Sequence, residues 1–219
     1  MRMKKALIQL NIAVFLWGFT GVLGRAITLD STMLVWWRLM ITTVSLWALY
    51  LMQGKARRIP TRSIFIISVI GTVQALHWVS FYASIKLANV TIALTCLSTT
   101  ALIAALIEPL VVKKKFDFLE IVLGLFAIAG ILVIYNTHLQ FSTGIIVGLL
   151  SAVLTVLVSV SNKKIVDKYH PEHITLYQLT GGFLGLTVLL PACRQRPAPA
   201  PTPGTVPPPP AATNVPPPT

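Results

Sequence analysis

Within "LIAALIEPLVVKKK", from Leu102 to Lys115, a glutamate and a proline interrupt a run apolar enough for lipid, and three lysines follow. A charged side chain at the bilayer centre costs about 3 kcal/mol or more unless it meets a partner or water, so Glu108 is a candidate for gating or ion coupling. At a helix C-terminus the macrodipole disfavours an anion, and Glu108 should seek Lys113, Lys114 or a loop arginine. Pro109 removes one backbone hydrogen bond and frees the carbonyl four residues back, which loosens the last turn. Three readings stay open at this stage: a latch that opens and closes, a static end-cap that fixes orientation, and a proton-coupling carboxylate.

Other polar groups sit in equally apolar surroundings. Gln74, His77 and Phe81 lie three and four residues apart, on one helical face with Ser84 beyond. His77 suits substrate binding or proton transfer, and equally a single hydrogen bond to a neighbouring helix. Arg38, beside Trp36 and Trp37, suits a substrate carboxylate, a buried partner such as Glu108, or an interfacial site reaching the headgroups. Thr91, Thr95, Ser98 and Thr99 form one hydroxyl stripe, and Ser151, Thr155, Ser159 and Asn162 another. Hydroxyls also bond their own helix backbone, so the two stripes together argue for a wet cavity better than either alone. Asn11, Gly18 and Arg25 recur every seven residues beside Trp17, with Gly21 and Gly24 nearby, a pattern that suits close helix packing. No metal-ligand spacing, P-loop, nucleophile elbow or carboxylate pair accompanies them, so an enzyme reading lacks its chemistry.

These residues must be held by membrane helices. The chain is 55% hydrophobic and 11% charged with a mean hydropathy of +0.77, too apolar for one water-soluble domain of 219 residues. Seven runs are long enough to span, near 6–26, 33–52, 63–84, 90–112, 117–136, 143–161 and 174–191. Short connectors make successive helices antiparallel neighbours. Counting basic residues by alternate sides puts Arg2, Lys4, Lys5, Lys55, Arg57, Arg58, Arg62, Lys113, Lys114, Lys115, Lys163, Lys164 and Lys168 together, against Arg25, Lys86, Arg194 and Arg196. The N-terminus is therefore expected in the cytoplasm, and the net charge of +12 is a topology signal that argues against nucleic-acid binding. Cys96, inside a span, and Cys193, in the tail, are not placed to form a disulfide.

Residues 192–219 hold eleven of the fifteen prolines and few bulky apolar side chains, so they read as disordered or polyproline II. They suit a flexible external tail, a ligand for a proline-binding module, or a foreign or out-of-frame terminus joined to an interrupted membrane protein; the composition favours the last.

"FLWGFTGVLGR", Arg38, "SFYASIKLANVTIALTCLSTTALIAALIEPL" and the glycines of "LEIVLGLFAIAGILVIY" resemble the EamA-like branch of the drug/metabolite transporter superfamily, over residues 6 to about 191. The resemblance places Glu108-Pro109 where the family sets such a pair, at the cytoplasmic end of the fourth span. It implies an all-α permease of the bacterial inner membrane with no cofactor and no metal, moving small metabolites such as amino acids by alternating access. Members of that kind have about ten helices in two inverted five-helix repeats around a central cavity. The second span, with Trp37-Arg38-Leu39, aligns weakly with the seventh, with Tyr177-Gln178-Leu179, an offset of five spans that suits inversion. The expected layout is one complete repeat over 1–136, two helices of a second over 137–191, and the tail. Trp17, Arg38, Gln74, His77, Thr95, Ser98 and Thr155 are the expected cavity residues, and Glu108 and Pro109 the gate. Two features depart from the family pattern: the second repeat is partial, and the fourth span has no central proline. The alternatives are a remnant that moves nothing, a structural membrane subunit, and a half-carrier that needs a second copy of itself.

Overall fold

The computed structural model describes residues 7–12, 14–15, 18, 27–53, 59–113, 116, 118–137 and 141–193, giving backbone alone at 127, 131–132, 134–137 and 192–193. The elements are α1 (Ser31–Met52), α2 (Thr61–Leu87), α3 (Val90–Ser98), α4 (Thr100–Val112), α5 (Phe118–Thr137), α6 (Ser142–Lys163) and α7 (Pro171–Cys193). With α3 and α4 taken as one span, five helices among the described residues are long and apolar enough to cross a membrane, and α5 is a further apolar helix. Residues 7–12, 14–15 and 18 are helical within the first expected span. The rest of that span, including Trp17, Gly21, Gly24 and Arg25, lies outside the described residues, as do Lys114, Lys115 and the tail from residue 194.

Local chemistry sets the helix ends. The Asp30 carboxylate accepts from the Thr32 amide at 3.0 Å and starts α1, and the Asn89 side chain accepts from the Ile92 amide at 2.8 Å and starts α3. Lys113 closes α4 in the left-handed region, with φ 56°.

The fourth span is broken at Thr99 without a proline. Thr99 donates its amide to the Cys96 carbonyl at 3.2 Å and its hydroxyl to the same oxygen at 2.6 Å, while the Ser98 hydroxyl takes the Thr95 carbonyl at 2.7 Å. Side-chain donors compete for carbonyls that the helix ladder would use, and the ladder resumes with the Ile103 amide on the Thr99 carbonyl.

Helix α2 lies at the centre, packed on α7 along one face and on α6 along another, with α1 against α7 and α3 and α4 against α6. The α2–α7 contact is made backbone to backbone. A Cβ on Gly71 would fall on the Gln178 carbonyl, and one on Gly181 would fall on the Ser68 backbone. Small residues permit such an approach, which maximises van der Waals contact where lipid offers no hydrophobic drive between helices. By contrast, Gly18 has nothing within 4 Å of a Cβ position, so the close packing expected of the first span's glycines is not made there.

Helices α1 and α7 run antiparallel, joined by hydrogen bonds from Trp36 Nε1 to Thr187 Oγ1 (2.9 Å) and from Trp47 Nε1 to Thr180 Oγ1 (3.0 Å), and by Tyr50 OH with His173 Nε2 (3.0 Å). The interior takes in Ser84, Thr99, Ser151, His77 and His173, while Phe126, Leu110 and Val188 stand exposed. Polar groups inside and apolar groups outside are the arrangement a hydrocarbon solvent demands.

Gly71→Ala and Gly181→Ala should each lower stability by roughly 1–3 kcal/mol, the cost of overpacking. Gly130→Ala, whose Cβ meets nothing within 4 Å, serves as the control and should be neutral or stabilising. Thermal unfolding in detergent followed by circular dichroism checks this; three equal midpoints would contradict the backbone contact.

Candidate functional site

Four helix segments line an open cavity of 490 Å³. Helix α2 supplies Gln74, His77 and Trp78, and α3 supplies Leu94, Leu97 and Ser98. Thr100 enters from the first residue of α4, and Thr155 and Ser159 from α6. The break at Thr99 therefore forms part of the wall. Hydroxyl, amide and imidazole groups converge on a space that also presents an indole face, the mixture by which pockets bind small polar molecules.

His77 is buried and its Nδ1 lies 2.9 Å from the Ser151 carbonyl, 2.9 Å from Ser151 Oγ and 2.6 Å from Thr155 Oγ1. With Nδ1 protonated, the ring donates to the Ser151 carbonyl and Nε2 carries the lone pair. The Ser151 hydroxyl donates to the His77 carbonyl at 3.2 Å, so α2 and α6 are tied in both directions. Phe81 stacks on the imidazole at 6.4 Å between centroids, and Ser84 donates to the Gly144 carbonyl at 2.7 Å. The face of Gln74, His77, Phe81 and Ser84 thus does two jobs: cavity wall at one end and helix contact at the other.

Of the expected cavity residues, Gln74, His77, Ser98 and Thr155 line this space. Thr95 does not; its hydroxyl turns back to the Thr91 carbonyl at 2.8 Å. Arg38 stands one layer behind, its guanidinium over the Trp78 ring at 4.9 Å and Nη1 donating to Tyr82 OH at 2.8 Å. Trp17 lies outside the described residues. Trp78 and Thr100 were not expected, though Trp78 sits four residues from Gln74 on the face already marked.

Glu108 is not among the residues that line this cavity and is paired with Lys163 at the end of α6, one turn past Ser159. Of the expected partners, Lys114 lies outside the described residues, and the pair described is with Lys163. Lys113 terminates α4 in a left-handed turn, whereas the packing of α6 on α4 brings Lys163 across. It also separates Glu108 from Arg38, whose partner is Tyr82. Pro109 is buried and the helix continues through it to Val112.

A second concavity of 420 Å³ lies between the end of α1 and the start of α7, with Tyr50, Gln53, Glu172 and Thr175 on its walls. Fewer elements converge there, and the 490 Å³ cavity is the better candidate site.

A sequence model of the EamA-like transporter family matches residues 4–136. No curated protein matches. No solved structure matches either. The matched segment contains α1 to α5, hence Gln74, His77, Trp78, Ser98 and the Glu108-Pro109 pair, while Thr155, Ser159 and Lys163 lie beyond it. Members of this family are multi-pass membrane permeases for small molecules, not enzymes, and the five described helices long and apolar enough to cross a membrane accord with that. With the match running over more than half of the chain, this protein belongs to the EamA-like transporter family.

Proposed function

We propose that the 490 Å³ cavity is the substrate site of a secondary transporter that moves small metabolites, amino acids or related compounds, by alternating access. The observation that carries this is the convergence of Gln74, His77, Ser98, Thr100, Thr155 and Ser159 on one space beside an interrupted helix. Carriers place substrates where helices break, because an unwound turn offers polar groups at membrane depth and a point of bending. Here the break is at Thr99, within the wall.

In this proposal α4 is the moving part. Its start is softened by Ser98 and Thr99 and its last turn by Pro109, about 15 Å further along at 1.5 Å per residue. Glu108–Lys163 ties that far end to α6, and releasing the pair lets the end swing while Thr100 moves relative to Ser98. The domain plan is one repeat over 1–136 and the first two helices of an inverted second over 137–191, in keeping with the antiparallel course of α1 and α7. The end that carries Lys113, Lys163, Lys164 and Lys168 faces the cytoplasm, following the charge asymmetry of the loops, as does the N-terminus. The host membrane is the bacterial inner membrane, and a second copy of the chain is a candidate partner in completing the cavity.

Reconstituted into liposomes, the protein should exchange members of a mixed amino-acid and metabolite pool. His77→Ala and Thr155→Val should each raise the half-saturating concentration about tenfold, the worth of one buried hydrogen bond to a polar ligand. Uptake curves that match the wild type would remove the cavity from the transport path.

Glu108→Gln should lower exchange up to about fivefold with normal membrane insertion, the ceiling for a half-exposed ion pair of ~1 kcal/mol. The swap Glu108→Lys with Lys163→Glu should restore it if opening and closing of the pair sets the rate. Wild-type exchange in Glu108→Gln leaves only a static cap.

A further inference from the structure

The end of the bundle that carries Glu108 and Lys163 also holds a third concavity, of 200 Å³, between the first two turns of α2 and the turn that follows α6. Ser63 Oγ and Tyr169 OH are hydrogen-bonded at 2.6 Å and form one wall. Lys164 and Lys168, one helical turn apart in sequence, form another. Ile67, fully buried, and Ile66, 45% exposed, give the apolar floor.

Charge and position identify what fits. Lys163 is already paired with Glu108, whereas Lys164 and Lys168 both face the notch. Asp167 returns one negative charge, and with Arg62 beside Ser63 the rim keeps a net positive balance. The notch sits where two spans leave the hydrocarbon, at the start of α2 and just past the end of α6. Its volume admits a phosphate group together with part of the headgroup attached to it, and its floor is continuous with a lipid-facing strip, since Ile66 belongs to both and Phe65 beside it is 70% exposed. Two ammonium groups and the one hydroxyl proton that the Ser63–Tyr169 bond leaves over answer a phosphate diester, and the apolar strip answers an acyl chain.

We propose that this notch binds the headgroup phosphate of an anionic phospholipid, with the lipid's chains lying along Ile66 and Phe65. A free phosphate shares the headgroup's chemistry, but the apolar strip favours the lipid. The bound lipid bridges α2 and the α6–α7 turn, beside the Glu108–Lys163 pair and independent of what the central cavity carries.

Native mass spectrometry of the protein released from mixed phosphatidylcholine and phosphatidylglycerol vesicles tests this. Wild type should retain phosphatidylglycerol in preference to phosphatidylcholine. Lys168→Gln should weaken retention roughly fivefold, and Lys164→Gln with Lys168→Gln roughly twenty-five-fold, at one surface charge's worth per lysine. Lys168→Arg should keep retention, which separates loss of charge from misfolding, and millimolar inorganic phosphate should not displace the lipid. Lys113→Gln removes one charge from the same end outside the notch and should change nothing. An equal loss in Lys113→Gln would show diffuse surface attraction and overturn the site. Displacement by inorganic phosphate would reassign it to a soluble anion, and no preference between the lipids would remove it.

Discussion

The bundle depends on the backbone contact between α2 and α7, where Gly71 meets Gln178 and Gly181 meets Ser68 without a side chain between them. Lipid removes the hydrophobic drive that gathers helices in water, so association rests on close packing and internal hydrogen bonds. Bringing α7 this close to α2 fixes the distance at which α1 reaches α7 through Trp36, Trp47 and Tyr50. Another face of α2 is left to α6, and the cavity lies between that tied pair and the broken fourth span.

The same solvent explains the density of polar ties inside. Each hydroxyl removed from water needs a partner in a medium that offers none, and here the ties fall into two groups. Thr42 and Thr95 bond the carbonyls of their own helices, which costs the fold little, and Thr180 and Thr187 do the same while also accepting from Trp47 and Trp36 of α1. Ser84, Ser151 and Thr155 instead cross between α2 and α6 and make that pair a rigid frame. The cavity has its rigid wall on the α2–α6 side and its breakable wall on the α3–α4 side.

The membrane class and five of the helical spans were legible in the sequence because both follow from run length and composition. The spans expected at 33–52, 90–112 and 143–161 form as Ser31–Met52, Val90–Val112 and Ser142–Lys163. Helical spacing also put Gln74, His77 and Phe81 on one face, and Phe81 stacks on His77 there. Pairing across helices was not legible. Glu108 pairs with Lys163, 55 residues on, and no local spacing marks that contact, because which helix lies alongside is decided by packing far from the charge; Lys114 and Lys115 lie outside the described residues. At Gly18 the lesson is related: spacing marks where a helix can be approached and says nothing about whether a neighbour arrives, as Gly18 shows against Gly71.

The missing proline of the fourth span clarifies what such a residue is for. A proline breaks the ladder by deleting a donor, permanently and at one place. Ser98 and Thr99 achieve an interruption by adding donors that compete for the Thr95 and Cys96 carbonyls, and such competition is reversible, since a hydroxyl can turn away and return its acceptor to the backbone. In the proposed carrier such a wall responds to what occupies it: a ligand that draws the Ser98 hydroxyl into the cavity frees the Thr95 carbonyl beside the break at Thr99. The span then carries a fixed weak point at Pro109 and an adjustable one at Ser98–Thr99, with the adjustable one at the cavity and the fixed one beside the Glu108–Lys163 pair.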